Sequence, residues 1–220
     1  MARRTDCDFT PRGSPPTDDD ARERARTRTR SLARPSFGAM ERIVLEGRRE
    51  GGTDEASAAA STLGVWTFVS VTNAVEVREA LVNGTLDAAV LDARAVASKD
   101  CLRLAAHKAA TARERGAMVT KALHSELVFC LGPTKHISEA FRRFGPSEKS
   151  EALLVCKFDP VDGDFEKIAK LVRGESVGFD SRPAVDAVAI KKWYKVHDNE
   201  LALDSLEEAV LSRIAIRDVA

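Results

Sequence analysis

The side chains with a choice of chemistry are few. They are Cys7, Cys101, Cys130 and Cys156, the four His residues 107, 124, 136 and 197, and the carboxylates beside them. No two Cys stand in C-x-x-C spacing and no two His in H-x-x-x-H, so no local zinc or redox motif is written into the chain. Asp100, Cys101 and His107 lie close in sequence. At about 100° per residue, however, Cys101 and His107 point roughly 240° apart on a helix, out of reach as nucleophile and base. His124-Ser125-Glu126 reads as the opening of a strand, where alternation sends His124 and Glu126 to one face and Ser125 to the other. Phosphate-cradling glycine loops, the G-x-S-x-G elbow and H-E-x-x-H are all absent. Trp193-Tyr194 suits a core-plus-rim pair better than a base-stacking platform. These residue types favour a binding or scaffold role with no cofactor and no metal. A small hydrolase or transferase would have to assemble its site from distant residues such as Cys130, His124 and Glu126.

The elements that position these residues follow from hydrophobic period and punctuation. Residues 41–46 and 64–71 read as strands, the second apolar on both faces and therefore interior. Asn73 is placed to cap a helix carrying Ala74, Val77 and Leu81, which Asn83-Gly84 ends. Residues 86–97 fit helix and strand equally. Ser98 caps a long helix over 99–115 with Leu102, Ala105, Ala106 and Ala109 inward, stopped by Gly116. Residues 125–131 read as a second interior strand, closed by Gly132-Pro133. Thr134 is placed to cap a short helix with Ile137, Ala140, Phe141 and Phe144 on one face. Residues 152–158 form a third central strand. Helices follow at 163–173 (Phe165, Ile168, Ala169 and Val172 inward), 185–196 (Val188, Ala189, Trp193, Val196) and 200–217 (Leu203, Leu206, Val210, Ile214). The alternation predicts an α/β (α+β) single domain, a mixed central sheet flanked by helices around one core. Cys130 and Cys156 sit in apolar runs, as small hydrophobes do.

Charge is balanced overall, 34 basic against 34 acidic side chains, which argues against a wholesale nucleic-acid coat. The balance hides an asymmetry. Residues 1–37 carry nine Arg and six acids, +3, and the remainder sums to −3. With few apolar groups to bury, residues 1–39 read as a disordered Arg-rich extension. A weak nucleic-acid contact, an import signal and a transit peptide are the functional readings of that stretch. Met40, where the ordered pattern begins, offers an alternative start. The domain then spans 40–220, with a Gly- and charge-rich surface insertion at about 47–61. No apolar run of about 18 residues or secretory leader is visible, so an intracellular protein, in cytoplasm and nucleus, is expected.

Residues 123–145, LHSELVFCLGPTKHISEAFRRFG, carry a small polar residue and Glu (Ser125, Glu126), an apolar run to Leu131, a turn, then Ile137, Ala140, Phe141, Phe144 and Gly145. This pattern resembles the Cgi-type subunit family of the KEOPS (EKC) complex, the binding partners of the p53-related protein kinase. Three further segments are similar to that family in the same order. They are the turn Asn83-Gly84-Thr85-Leu86-Asp87, the A-x-K-A helix within residues 105–109, and a C-terminal stretch with Lys191, Lys192, Tyr194, Lys195, Arg217, Asp218 and Val219. The resemblance covers about 41–220. It implies a non-catalytic accessory subunit that docks on an atypical kinase/ATPase. Such a subunit supports threonylcarbamoylation of tRNA adenosine 37 and helps hold the tRNA 3′ CCA end, with transfer chemistry left to a Kae-type ASKHA subunit.

Two surfaces would serve that role. For the kinase, the last helix offers Leu203, Leu206, Val210, Leu211 and Ile214, a wider apolar face than one stripe needs. For RNA, Lys108, Lys121, Lys135, Arg142 and Arg143 lie in or beside the matched motifs, where phosphates want cations. A free-standing RNA-binding module using the Arg-rich tail is the competing reading outside the enzyme class.

Overall fold

The computed structural model describes residues 40–45 and 61–218. The extension 1–39 and nearly all of the insertion at 47–61 lie outside the described residues. Among the described residues, five strands and eight α-helices follow one another as β1 (Glu41–Val44), β2 (Thr62–Val69), α1 (Ala74–Val82), β3 (Ala89–Asp92), α2 (Lys99–Glu114), α3 (Leu123–Leu131), α4 (Ile137–Phe144), β4 (Leu153–Phe158), α5 (Asp164–Leu171), β5 (Glu175–Val177), α6 (Ala187–Tyr194), α7 (Asp198–Leu201) and α8 (Leu206–Ile216). The sheet order is β1-β2-β4-β3, with β5 also pairing β2. β1 and β5 pair with different stretches of β2, while β4 pairs with residues 63–68. All these pairings are antiparallel. The class is the expected α+β; the sheet is antiparallel rather than mixed.

Side-chain alternation divides the apolar groups between the two faces of the sheet, so there are two hydrophobic layers where one core was expected. Leu63, Val65, Leu91, Leu154 and Cys156 face one layer with α2, α3, α4, α6 and α8. Trp66, Phe68, Val90, Leu153 and Val155 face the other with α1 and α5. Because both faces are covered, β2 and β4 read as continuous apolar runs.

The largest departure from the sequence reading is α3. Residues 125–131 form no strand. They are the inner part of a helix in which every residue from Glu126 to Leu131 is buried. A short run that is apolar all round has no period, and a fully buried helix and an interior strand then look alike. Here α2, α4 and strands β3 and β4 surround the helix.

Smaller departures have local causes. Thr134 does not cap α4: His136 holds that position, and the Thr134 hydroxyl donates to Glu139 Oε2 at 2.8 Å. Val188 and Ala169 point outward, whereas Ile190 and Tyr194 supply the buried face of α6. The expected helix at 200–217 is two, and Leu203 lies in the turn between them. Ser98 does cap α2, accepting the Cys101 N–H. Gly116, at φ +62°, turns the chain in the left-handed region after α2, a conformation that costs glycine little. Gly145 has a different reason: a Cβ there would lie 2.5 Å from the Phe141 carbonyl oxygen.

Asn73 precedes α1 as expected, but its side chain does not cap that helix. Instead Nδ2 donates to Leu171 O at 2.8 Å and Oδ1 accepts the Arg173 N–H at 2.9 Å, tying α1 to the end of α5. Asp is as good an N-cap as Asn, yet it cannot donate to Leu171. Asn73→Asp is therefore expected to lower stability by about 1–3 kcal/mol, the cost of an unsatisfied buried acceptor, in urea unfolding. A neutral result would mean that capping is the role of Asn73 after all.

Candidate functional site

The sequence-predicted cations do not form one patch. Lys108, on α2, is partly buried and turned toward the end of α8, where its ammonium donates to Ile214 O at 2.6 Å and Ala215 O at 3.2 Å. It also pairs with Asp218 at 2.8 Å. The last carbonyls of a helix lack intrahelical partners and carry the negative end of its dipole, so a lysine there completes the helix. Arg143 is similarly committed, to Glu139 and the Trp193 carbonyl. Lys121, Lys135 and Arg142 are exposed.

Arg217 was matched only as part of a C-terminal motif, yet it is the most enclosed cation near the site. Its guanidinium donates to Phe129 O at 2.5 Å and Gly132 O at 3.3 Å and lies 4.3 Å from the centre of the Phe129 ring. Asp218 accepts from Arg217 at 3.0 Å. Tyr194 O–H donates to Leu131 O. Burial pushes the Tyr194 hydroxyl up, so it stays a donor.

An open cavity of about 550 Å³ lies where α2, the turn after it, α3 and the C-terminal segment meet. Lys108, Arg115, Lys135 and Arg217 line it, with Phe129 and Ala112 among its apolar groups. Its carboxylates are Asp218 and Glu126. Glu126 is buried and fully occupied: Oε1 accepts the Val119 N–H at 3.2 Å, and Oε2 accepts Thr120 N–H at 2.7 Å and its hydroxyl at 2.6 Å. Thus the Glu of the Ser-Glu pair shapes the cavity wall at 119–120.

The enzyme candidates are not brought together. His124 Nε2 accepts the Phe158 N–H at 3.2 Å, which places the ring proton on Nδ1, facing Asp87 Oδ1 at 3.1 Å. Both ring nitrogens are spent. Burial pushes the Cys130 thiol up to about 11, and its sulfur sits 3.9 Å from Arg217. Among the described residues no hydrogen bond joins Cys130, His124 and Glu126, and no group of three or more His, Cys, Asp or Glu could hold a metal ion. The expected kinase face divides too. Val210 and Ile214 are core, Leu206 and Leu211 pack at its margin, and Leu203 is 87% exposed.

Fold and cavity define a small α+β protein in which Lys108, Arg143 and Arg217 are engaged internally while Lys121, Lys135 and Arg142 stay at the surface. Residues 68–218 match the family model described as kinase binding protein CGI-121. The chain belongs to this family. It is 34% identical over 156 residues to the EKC/KEOPS complex subunit TPRKB of Danio rerio, covering 70% of this chain and 89% of that protein. It is 33% identical over 161 residues to the EKC/KEOPS complex subunit cgi121 of Schizosaccharomyces pombe, covering 70% and 91%. Against the Yarrowia lipolytica EKC/KEOPS complex subunit CGI121 the identity is 30% over 158 residues, covering 68% and 90%.

The His124 contact gives a pH prediction. Burial holds its imidazole below the ordinary value of 6.5, against the pull of Asp87. Between that lowered value and 6.5 the unfolded chain binds more protons than the folded one, so stability falls as pH drops through this window. Melting temperatures between pH 7.5 and 5 should decline for the native chain and decline less steeply for His124→Gln. Equal slopes would remove His124 as a source.

Proposed function

We propose that this chain is the non-catalytic accessory subunit of an EKC/KEOPS complex. In this reading it docks on the atypical kinase/ATPase subunit and, through it, serves the Kae-type ASKHA subunit. It supports N6-threonylcarbamoyladenosine formation at tRNA position 37, in cytoplasm and nucleus, by helping hold the tRNA 3′ CCA end. Membership of the kinase-binding family supports the first contact. The observation that carries the RNA contact is the convergence of Lys108, Arg115, Lys135 and Arg217 on one open cavity. An unpaired RNA end offers phosphates to cations and base faces and edges to nearby apolar and polar groups. Lys121, exposed on the 117–122 turn, adds a cation close by in the chain. Lys108 and Arg217 take part in shaping that cavity as well as in charging it.

For the kinase, Leu203 and the margin residues Leu206 and Leu211 are the groups of the predicted face that remain near solvent, and Val210 and Ile214 support them from beneath. Leu211→Arg is expected to abolish co-purification with the kinase subunit while the fold survives. Ile214→Arg places a charge in the core and should abolish folding itself. The kinase ATPase rate should change on adding the native chain and not on adding Leu211→Arg. Retained capture by a folded Leu211→Arg would move the interface elsewhere.

For RNA, Lys121→Glu with Lys135→Glu should weaken tRNA binding and lower the slope of log affinity against log salt by about 1 per cation. The loss should be greater for tRNA with its CCA end than for tRNA without it. Equal affinity for the two tRNAs would sink the CCA reading.

A further inference from the structure

A second cation-lined hollow, of about 410 Å³, lies away from the first, between α4 and α6. Arg142, Arg143, Lys192 and Trp193 line it. We infer that this hollow is a stacking and phosphate shelf for single-stranded RNA, with Trp193 under a base and Arg142 and Lys192 at the backbone. The inference rests on the RNA reading above and adds a second contact to it.

Two of the three cations, Arg142 and Arg143, pair with Glu139. Glu139 is largely consumed, because it accepts the Thr134 hydroxyl and the Arg143 guanidinium, and Arg142 stands 3.8 Å away. That Thr134 bond, with the two Arg, holds the Glu139 carboxyl below its ordinary range. Arg142 is 77% exposed, and Lys192 has no hydrogen bond or ion pair among the described residues. Two cations are thus left for an outside anion. Trp193 is half-buried, braced edge-on by Phe144 with ring centres 5.7 Å apart. Such bracing presets an indole that then costs little entropy to stack upon. Cations beside an aromatic with part of its ring at the surface are the composition that grips unpaired bases without reading sequence.

Spacing favours an RNA strand over an isolated anion. Lys135 lines the first cavity two residues before α4, and Arg142 lines the second hollow from within that helix. The five helical steps from Ile137 to Arg142 rise about 7.5 Å and the two steps before them span at most about 7 Å, so the two Cα positions are no more than about 15 Å apart. A strand leaving one site therefore reaches the other within very few nucleotides.

Intrinsic fluorescence isolates the shelf, because the other tryptophan, Trp66, is buried on the opposite face of the sheet. Titrating the full chain with tRNA bearing an intact CCA end should quench Trp193 emission. Arg142→Glu with Lys192→Glu alters two exposed side chains, so the melting temperature should hold. Affinity should fall about tenfold, with a salt slope lower by about 1 per cation. Binding that keeps its affinity and slope in this double variant, with no Trp193 quenching in the native chain, overturns the shelf and leaves the first cavity standing. No binding by the native chain overturns both. Loss of kinase capture with unchanged RNA affinity would make the hollow part of the kinase interface and likewise overturn the shelf.

Discussion

The buried end of α3 is the constraint on which the rest of the molecule depends. A helix leaves its last carbonyls without intrahelical partners, and burial makes each orphan costly. The Gly132 N–H closes onto Phe129 O at 3.0 Å, but the turn goes no further, because Pro133 has no N–H to give. The further donors come from far along the chain. Tyr194 supplies Leu131 O from 63 residues away, and Arg217 supplies Phe129 O and Gly132 O from 88 and 85 residues away. A guanidinium at this end also meets the negative pole of the helix. α3 is thus completed only when α6 and the segment after α8 have docked.

The same logic links every segment that first suggested the family. Asp87, in the turn after α1, holds His124 at the start of α3. Lys108 of the A-x-K-A segment holds the end of α8. Tyr194 and Arg217 hold α3, and Gly145 lets the chain pass the Phe141 carbonyl. The motifs fix one another's places; they are a recognisable pattern because they form one hydrogen-bonded framework. Function has to use what that framework leaves at the surface.

This explains which features were legible in the sequence. β2 and β4 were, since apolar groups on both faces and flanking turn residues mark an interior strand. So was α2, whose stripe of Leu102, Ala105, Ala106 and Ala109 is bounded by Ser98 and Gly116. α3 was not, because a helix with every side covered loses the period that would reveal it. The cations were visible in kind and number, but the destination of each ammonium or guanidinium depends on backbone carbonyls some hundred residues away. Lys108, 106 residues from Ile214, is the plainest case. Arg142 and Arg143 are adjacent in sequence, yet a step of 100° sends one to solvent and the other onto Glu139 and the Trp193 carbonyl.

Electrical near-neutrality acquires a physical meaning from this arrangement. Residues 38–220 sum to a formal −3, so on the proposed RNA reading attraction for a polyanion cannot come from their long-range field. It has to come from short-range clusters, where salt screens less effectively because the groups are close and partly desolvated. Lys108, Arg217 and Asp218 form such a cluster at the first cavity, and they are also the bolts between α2, α3 and α8. The shape of α8 and the placing of the cavity's cations are therefore not independent. Displacing the end of α8 moves the carbonyls that hold Lys108, and with them the charge that Lys108 presents.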